Sequence, residues 1–160
     1  MTDQAGARKP TNLPWIRTVE EDLIVDSFGG IVSEYTNKTG GTLLIGDQVF
    51  LASDFGVDKS TTQADYDTAT GVVMGGEQID MYEVAPYSPG IIAALDGELV
   101  MVAWAGKVPV AVEGAAAAGS IVGASAATAG AVVTPAVAGR TAIVAGPAPT
   151  GFVTIILPYL

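Results

Sequence analysis

Five aspartates, Asp47, Asp54, Asp58, Asp65 and Asp67, fall within 21 positions. Clustered carboxylates are the ligands that a hard cation such as Ca²⁺ takes. The spacing does not suit one. An EF-hand loop needs ligands at every second position, a central glycine and a closing glutamate at position twelve. The expectation is a solvated acidic loop without metal. Glu77 and Glu83 have the residue types for paired-carboxylate hydrolysis, but acid pairs arise by chance in an acidic chain. The chain has no histidine and no cysteine. That removes the commonest general base, the thiolate nucleophile and the soft metal ligands. No catalytic residue, no cofactor and no metal site is expected, and the chain reads as a non-enzyme.

The remaining short motifs lack the company that their chemistry needs. Asp54-Phe55-Gly56 spells the kinase metal-binding triplet, yet no glycine-rich loop precedes it and no catalytic-loop motif accompanies it. Gly40-Gly41 and Gly75-Gly76 are not part of a phosphate-binding loop, and no Gly-Lys-Ser/Thr exists. Asn37-Lys38-Thr39 is a glycosylation sequon, but the N-terminal segment has no apolar core of a secretory signal. Synthesis in the cytoplasm is expected.

Charge is distributed unevenly. Residues 1–98 hold 16 acidic and 5 basic side chains, whereas residues 99–160 hold 1 and 2. From residue 114 to 160 the only charged side chain is Arg140. The net charge is −10, which disfavours nucleic acid, since that binding draws on clustered Lys and Arg. The uncharged stretch 114–139 has the length of a membrane span, but it holds five glycines and Pro135. It has no run of large apolar residues, so no membrane span is expected. So long an uncharged segment implies that its surface is covered, by the domain's own core or by a neighbour.

The elements that must carry these residues are β-strands. Glycine and proline recur at short intervals with β-branched residues between them, and no segment combines helical apolar spacing with caps. The expected fold is all-β, a compact barrel or sandwich with an extended N-terminal arm. The arm is residues 1–27. The single domain is 28–160, with an Ala/Gly/Val-rich C-terminal half, 114–160. Strands are expected over 31–36, 42–52, 71–74, 78–84, 91–95, 98–103, 108–112, 120–123, 131–134, 141–145 and 152–157. Asp96-Gly97 predicts a tight hairpin between its flanking strands. Ala105-Gly106-Lys107 predicts another turn, and residues 60–70 a surface loop.

Several segments resemble a known family. Gly46-Asp47-Gln48-Val49-Phe50-Leu51-Ala52 leads into Gly56-Val57, and Val84-Ala85 precedes the 91–103 region, which ends in Gly106-Lys107-Val108-Pro109-Val110. Then come Ala115 to Ala118 with Gly119-Ser120-Ile121-Val122, Ala127-Thr128-Ala129-Gly130, Ala138-Gly139-Arg140 and a closing apolar strand. This order is similar to the C-terminal region of bacteriophage capsid decoration (cement) proteins, over about residues 90–160. The resemblance implies a β-rich homotrimer on the outside of a viral shell, bound to the major capsid protein, with no catalytic residues. Trp15 and Ile16, apolar residues in a polar arm, are the expected capsid contact. The competing readings are another virion β-module (a head-fibre base, tail or adaptor protein) and a carbohydrate-binding module. The last would need an aromatic platform, for which only the tryptophans Trp15 and Trp104 are available.

Overall fold

Valine, isoleucine and alanine alternate with small or polar residues along most of the chain, and the backbone forms strands accordingly. The computed structural model describes residues 16–19, 23–26, 31–60, 69–79, 89–136 and 140–158. Among them are β1 (Ile16–Val19), β2 (Leu23–Asp26), β3 (Ile31–Asn37), β4 (Leu43–Leu44), β5 (Gln48–Ser53), β6 (Gly56–Lys59) and β7 (Ala69–Gly76). They are followed by β8 (Ile92–Ala94), β9 (Leu99–Ala111), β10 (Ile121–Ala124), β11 (Val132–Val133), β12 (Ala142–Pro147) and β13 (Phe152–Leu157). No helix occurs among the described residues, so none of them forms a helix long and apolar enough to cross a membrane. The protein is all-β.

Five strands close a ring. β3 runs parallel to β6, β6 antiparallel to β5, β5 to β7, β7 to β9, and β9 returns antiparallel to β3. The closed ring is a small barrel. Its interior holds Leu43, Ile45, Val49, Val57, Val73, Val100 and Val102, all buried. β9 then leaves the ring. Past Gly106 (φ 104°) it pairs with β13, from Gly106 opposite Leu157 to Ala111 opposite Phe152. β12, β10 and β11 follow in order, making a second sheet that starts on the same strand.

The strand period decides which side chain enters which core, because successive residues point to opposite faces. Val100 and Val102 face the barrel interior, while Met101 and Ala103 join Val72, Met74, Val108, Val122, Val144 and Ile155 in a second core. That second core lies between the outside of β7 and β9 and the inner face of the C-terminal sheet. Each fully buried valine contributes about 1.5–3 kcal/mol relative to an exposed one.

Several expectations need correction. Ala105-Gly106-Lys107 is not a turn: the strand continues through it, because the glycine's positive φ bends the backbone while its pairing passes to a new partner. Residues 95–98 do turn at Asp96-Gly97, closed by the Glu98 N–H donating to the Leu95 carbonyl at 3.1 Å. The flanking strands, however, do not form the expected hairpin. β8 pairs with β4, and β9 with β3 and β7. A turn dictates reversal only; here longer-range edges supply the partners. The single strand expected over 42–52 is divided at Gly46, where an added Cβ would lie 2.7 Å from the Phe152 ring. β6, in a short charged stretch, was not expected. Ser60, assigned to a surface loop, is fully buried, and Ala69 and Thr70 belong to β7.

β1 and β2 fall within the stretch expected as an arm. They pair with each other, and β2 pairs with β3 through Ile24 opposite Val32. Ile16 opens β1, opposite Asp26; Trp15 lies outside the described residues.

The tight approach of β7 to β9 generates a test. A Cβ on Gly71 would collide with the Ala103 carbonyl, which is backbone and cannot turn aside, whereas nothing lies within 4 Å of a Cβ on Gly41. Gly71→Ala is expected to cost about 3 kcal/mol or more, and Gly41→Ala less than about 0.5 kcal/mol, in denaturant unfolding. Equal effects at the two positions would mean that β7 and β9 are not packed this closely.

Candidate functional site

The densest polar cluster of the interior sits where three chain segments meet. The turn between β4 and β5 places Asp47, the end of β6 supplies Lys59 and Ser60, and the loop before β11 supplies Gly130. Their backbones close a triangle. The Gln48 N–H donates to Gly130 O (2.8 Å), Gly130 N–H to Ser60 O (2.7 Å) and Ser60 N–H to Gln48 O (3.1 Å). Asp47 caps its own turn: its Oδ2 accepts the Leu44 N–H at 2.8 Å and lies 3.4 Å from the Lys59 ammonium. Gly130 is packed so tightly that its Cβ would lie 3.0 Å from Asp47 Oδ1.

Asp47 was expected in a solvated acidic loop; it is instead only 6% exposed. Burial pushes its carboxyl above the ordinary 3.8, opposed by the Leu44 N–H and the Lys59 charge. Gln48 and Ser60 are fully buried across from one another, and the Gln48 amide and the Ser60 hydroxyl have no hydrogen-bond partner among the described residues. Each such group costs about 1–3 kcal/mol. One carboxylate paired with one ammonium and two unpaired neutral groups makes a structural clamp. The Ser60 hydroxyl is hydrogen-bonded neither to the Asp47 carboxylate nor to any other described group.

A second polar cluster fixes the loop between β10 and β11. Glu113 Oε2 accepts the hydroxyls of buried Ser125 (2.9 Å) and of Thr128 (2.8 Å). Ser125 Oγ in turn accepts the N–H groups of Ala127 and Thr128. The donors saturate the hydroxyl as an acceptor, which suits loop closure. The sequence did carry a signal for this cluster, because Glu113 is the sole acid after residue 98.

The other singled-out residues do not converge. Asp54 is exposed at the β5–β6 tip, and Asp58 Oδ1 accepts the Lys59 N–H at 2.7 Å. Asp65, Asp67 and Glu83 lie outside the described residues. Glu77 Oε2 accepts the Leu99 N–H. Among the described residues no three acids are grouped as a metal site. The sequon is spoiled by burial: Asn37 is fully buried, and its Nδ2 donates to the carbonyls of Gly41 (2.8 Å) and Ala94 (3.2 Å). Trp104 donates its indole N–H to Ser33 Oγ at 3.0 Å. No known family model matches the chain, and no curated protein matches it.

Asp47 makes stability depend on pH with a definite sign. Its folded-state pKa is raised, so between 3.8 and that higher value the folded protein holds a proton that the unfolded chain has released. Its contribution is therefore largest below 3.8 and is lost as pH rises through the folded pKa. Asp47→Asn keeps an oxygen for the Leu44 N–H and removes the titration. Relative to that variant, the wild type should gain stability as pH falls from about 7 to about 4. A constant difference between the two unfolding curves across that range would contradict a raised pKa.

Proposed function

We propose that this protein is a structural accessory of a bacteriophage shell: a homotrimer that binds the outside of the assembled capsid through the major capsid protein and stabilises it. The observation that carries this reading is the outer face of the C-terminal sheet. Ile121, Ile143 and Ile156 stand opposite one another on β10, β12 and β13, in that order, and are 53%, 38% and 45% exposed. Strands lie about 4.8 Å apart, so the three side chains form an apolar ladder about 10 Å long. Beside it opens a groove of about 510 Å³ lined by Ser120, Ile121, Thr134, Pro135 and Thr141. Lys107 ends the row, opposite Ile156.

On a chain of net charge −10, an apolar row without acids is where another protein surface approaches most cheaply. The family resemblance of residues 90–160 supports the same reading, because most of that segment builds this sheet. A shell accessory needs many identical contacts and no chemistry, and a closed ring of copies supplies them.

The protein alone should have the mass of a trimer by light scattering, and Ile143→Lys should shift it toward monomer while leaving the far-ultraviolet spectrum of the sheet unchanged. A wild-type monomer at high concentration would end the intrinsic-trimer part of the reading. Mixed with empty shells of the same phage and sedimented, the protein should bind in hundreds of copies per particle. A few to tens would instead mark a tail or adaptor part, and none would end the shell reading. Bound copies should fall less than about threefold between roughly 0.05 and 0.5 M salt, over which charge attraction is screened to a few Å.

A further inference from the structure

Gln48 and Ser60 are the buried polar residues whose side chains the fold leaves unanswered. Both are fully buried, and the Gln48 amide oxygen, the amide nitrogen and the Ser60 hydroxyl reach no hydrogen-bond partner among the described residues. The other buried polar side chains described are answered. Asn37 Nδ2 donates to two carbonyls, the Ser125 hydroxyl to Glu113, and Asp47 meets the Leu44 N–H and Lys59. Buried amides and hydroxyls without a protein partner are the groups that hold internal water.

Strand geometry puts these groups on one side of the sheet. β5 and β6 run antiparallel with Val49 opposite Lys59, so the preceding Gln48 stands opposite Ser60. Val49 faces the barrel interior, and alternation turns Gln48 the other way, toward the second core, with Val72 opposite it on β7. Side chains directly opposite on neighbouring strands share a face. The ladder is also interrupted at this point. The Ser60 N–H still donates to Gln48 O, but the return bond runs through Gly130: the Gln48 N–H donates to Gly130 O at 2.8 Å and the Gly130 N–H to Ser60 O at 2.7 Å. One peptide backbone is thus wedged between the strand ends, and beside that wedge the amide and the hydroxyl do not reach each other.

The chemistry selects the ligand. A carboxamide offers two N–H donors and an acceptor oxygen, and a hydroxyl both donates and accepts. A group that serves both must itself donate and accept. A metal cation donates no hydrogen bond, and an inorganic anion only accepts them. Either would also bring an unbalanced charge inside, because Asp47 and Lys59 already face each other at 3.4 Å. Water is neutral and does both. We propose that the Gln48 amide and the Ser60 hydroxyl form a binding site for one structural water, which bridges β5 to β6 where the Gly130 backbone separates them. The water accepts the Ser60 O–H and donates to Gln48 Oε1. It recovers part of the desolvation cost of these groups, less the freedom that the water itself gives up. The site is independent of the shell-binding reading.

A high-resolution crystal structure of the wild-type chain tests the site without any substitution. One ordered water oxygen within about 3.2 Å of both the Gln48 amide and Ser60 Oγ is expected. A direct bond between amide and hydroxyl, or no ordered water shared by the two, overturns the proposal. Ser60→Ala and Gln48→Met test it in solution. Water-oxygen relaxation dispersion counts waters held for longer than the protein tumbles, and each variant should hold about one fewer than the wild type. An unchanged count in either variant overturns the proposal. Each variant should also melt about 2 °C or more below the wild type, since losing the water strands the polar group that remains. The double variant should fall by less than the two single shifts added together. Unhydrated groups behave in the opposite way, because each substitution then removes an unpaired polar atom. A smaller drop, no change or a rise in melting temperature therefore overturns the proposal, as does a double variant that is simply additive.

Discussion

The architecture depends on one strand having no face toward water. Val100, Val102 and Ala103 are fully buried and Met101 is 5% exposed, because β9 closes the barrel on one face and floors the second core on the other. Both edges of this segment are also occupied, by β3 and by β7. A strand enclosed on both faces and both edges can hold only uncharged side chains, since an unpaired buried charge costs far more than one methyl group gains. The same condition passes to its neighbours. Val72, Val73 and Met74 on β7 divide between the two cores as the β9 residues do. Gly71 is a glycine because the Ala103 backbone occupies the space of a Cβ. The Ala, Gly and Val composition follows from thin layers packed closely together.

Sharing a strand also explains how a chain with few large side chains holds a fold. Small residues bury little area each, and a domain built from them needs many contacts per residue. Here β9 spends its first half in the barrel and its second half on β13, so one strand ties both units. The polar clusters reinforce the joint at its ends. The triangle through Gln48, Ser60 and Gly130 fastens the loop before β11 to the barrel, and Glu113 holds that same loop through Ser125 and Thr128. The unpaired amide of Gln48 is an expense that this junction carries.

Two exposed apolar features lie on different units of the fold. The barrel end carries a projecting hairpin with an aromatic tip, and the C-terminal sheet carries an apolar ladder on an outer face without acids. The two surfaces lie on different units of the fold, so a contact at one leaves the other free.

The sequence by itself determined the class, the positions of most strands and the absence of the usual catalytic groups. Those properties are local: β-branched residues between glycines extend wherever they are placed, and a chain without histidine or cysteine cannot build imidazole or thiolate chemistry. It also led to the expectation that the uncharged C-terminal half is covered. The tertiary structure buries one face of its strands and leaves much of the rest exposed. Val122, Val144 and Ile155 face the barrel, whereas Ile121, Ile143 and Ile156, next to them in sequence, face outward. Composition is blind to that alternation until a partner layer defines the inside. The same holds for the single positions that matter most. Nothing local distinguishes Asp47 from Asp54, yet one is buried against Lys59 and the other is exposed at a tip. Nothing local marks Phe55 as a surface residue either, yet its ring is 78% exposed at the β5–β6 tip. Pairings such as β9 with β3, β7 and β13 join residues far apart along the chain, and no local preference records which edges will meet.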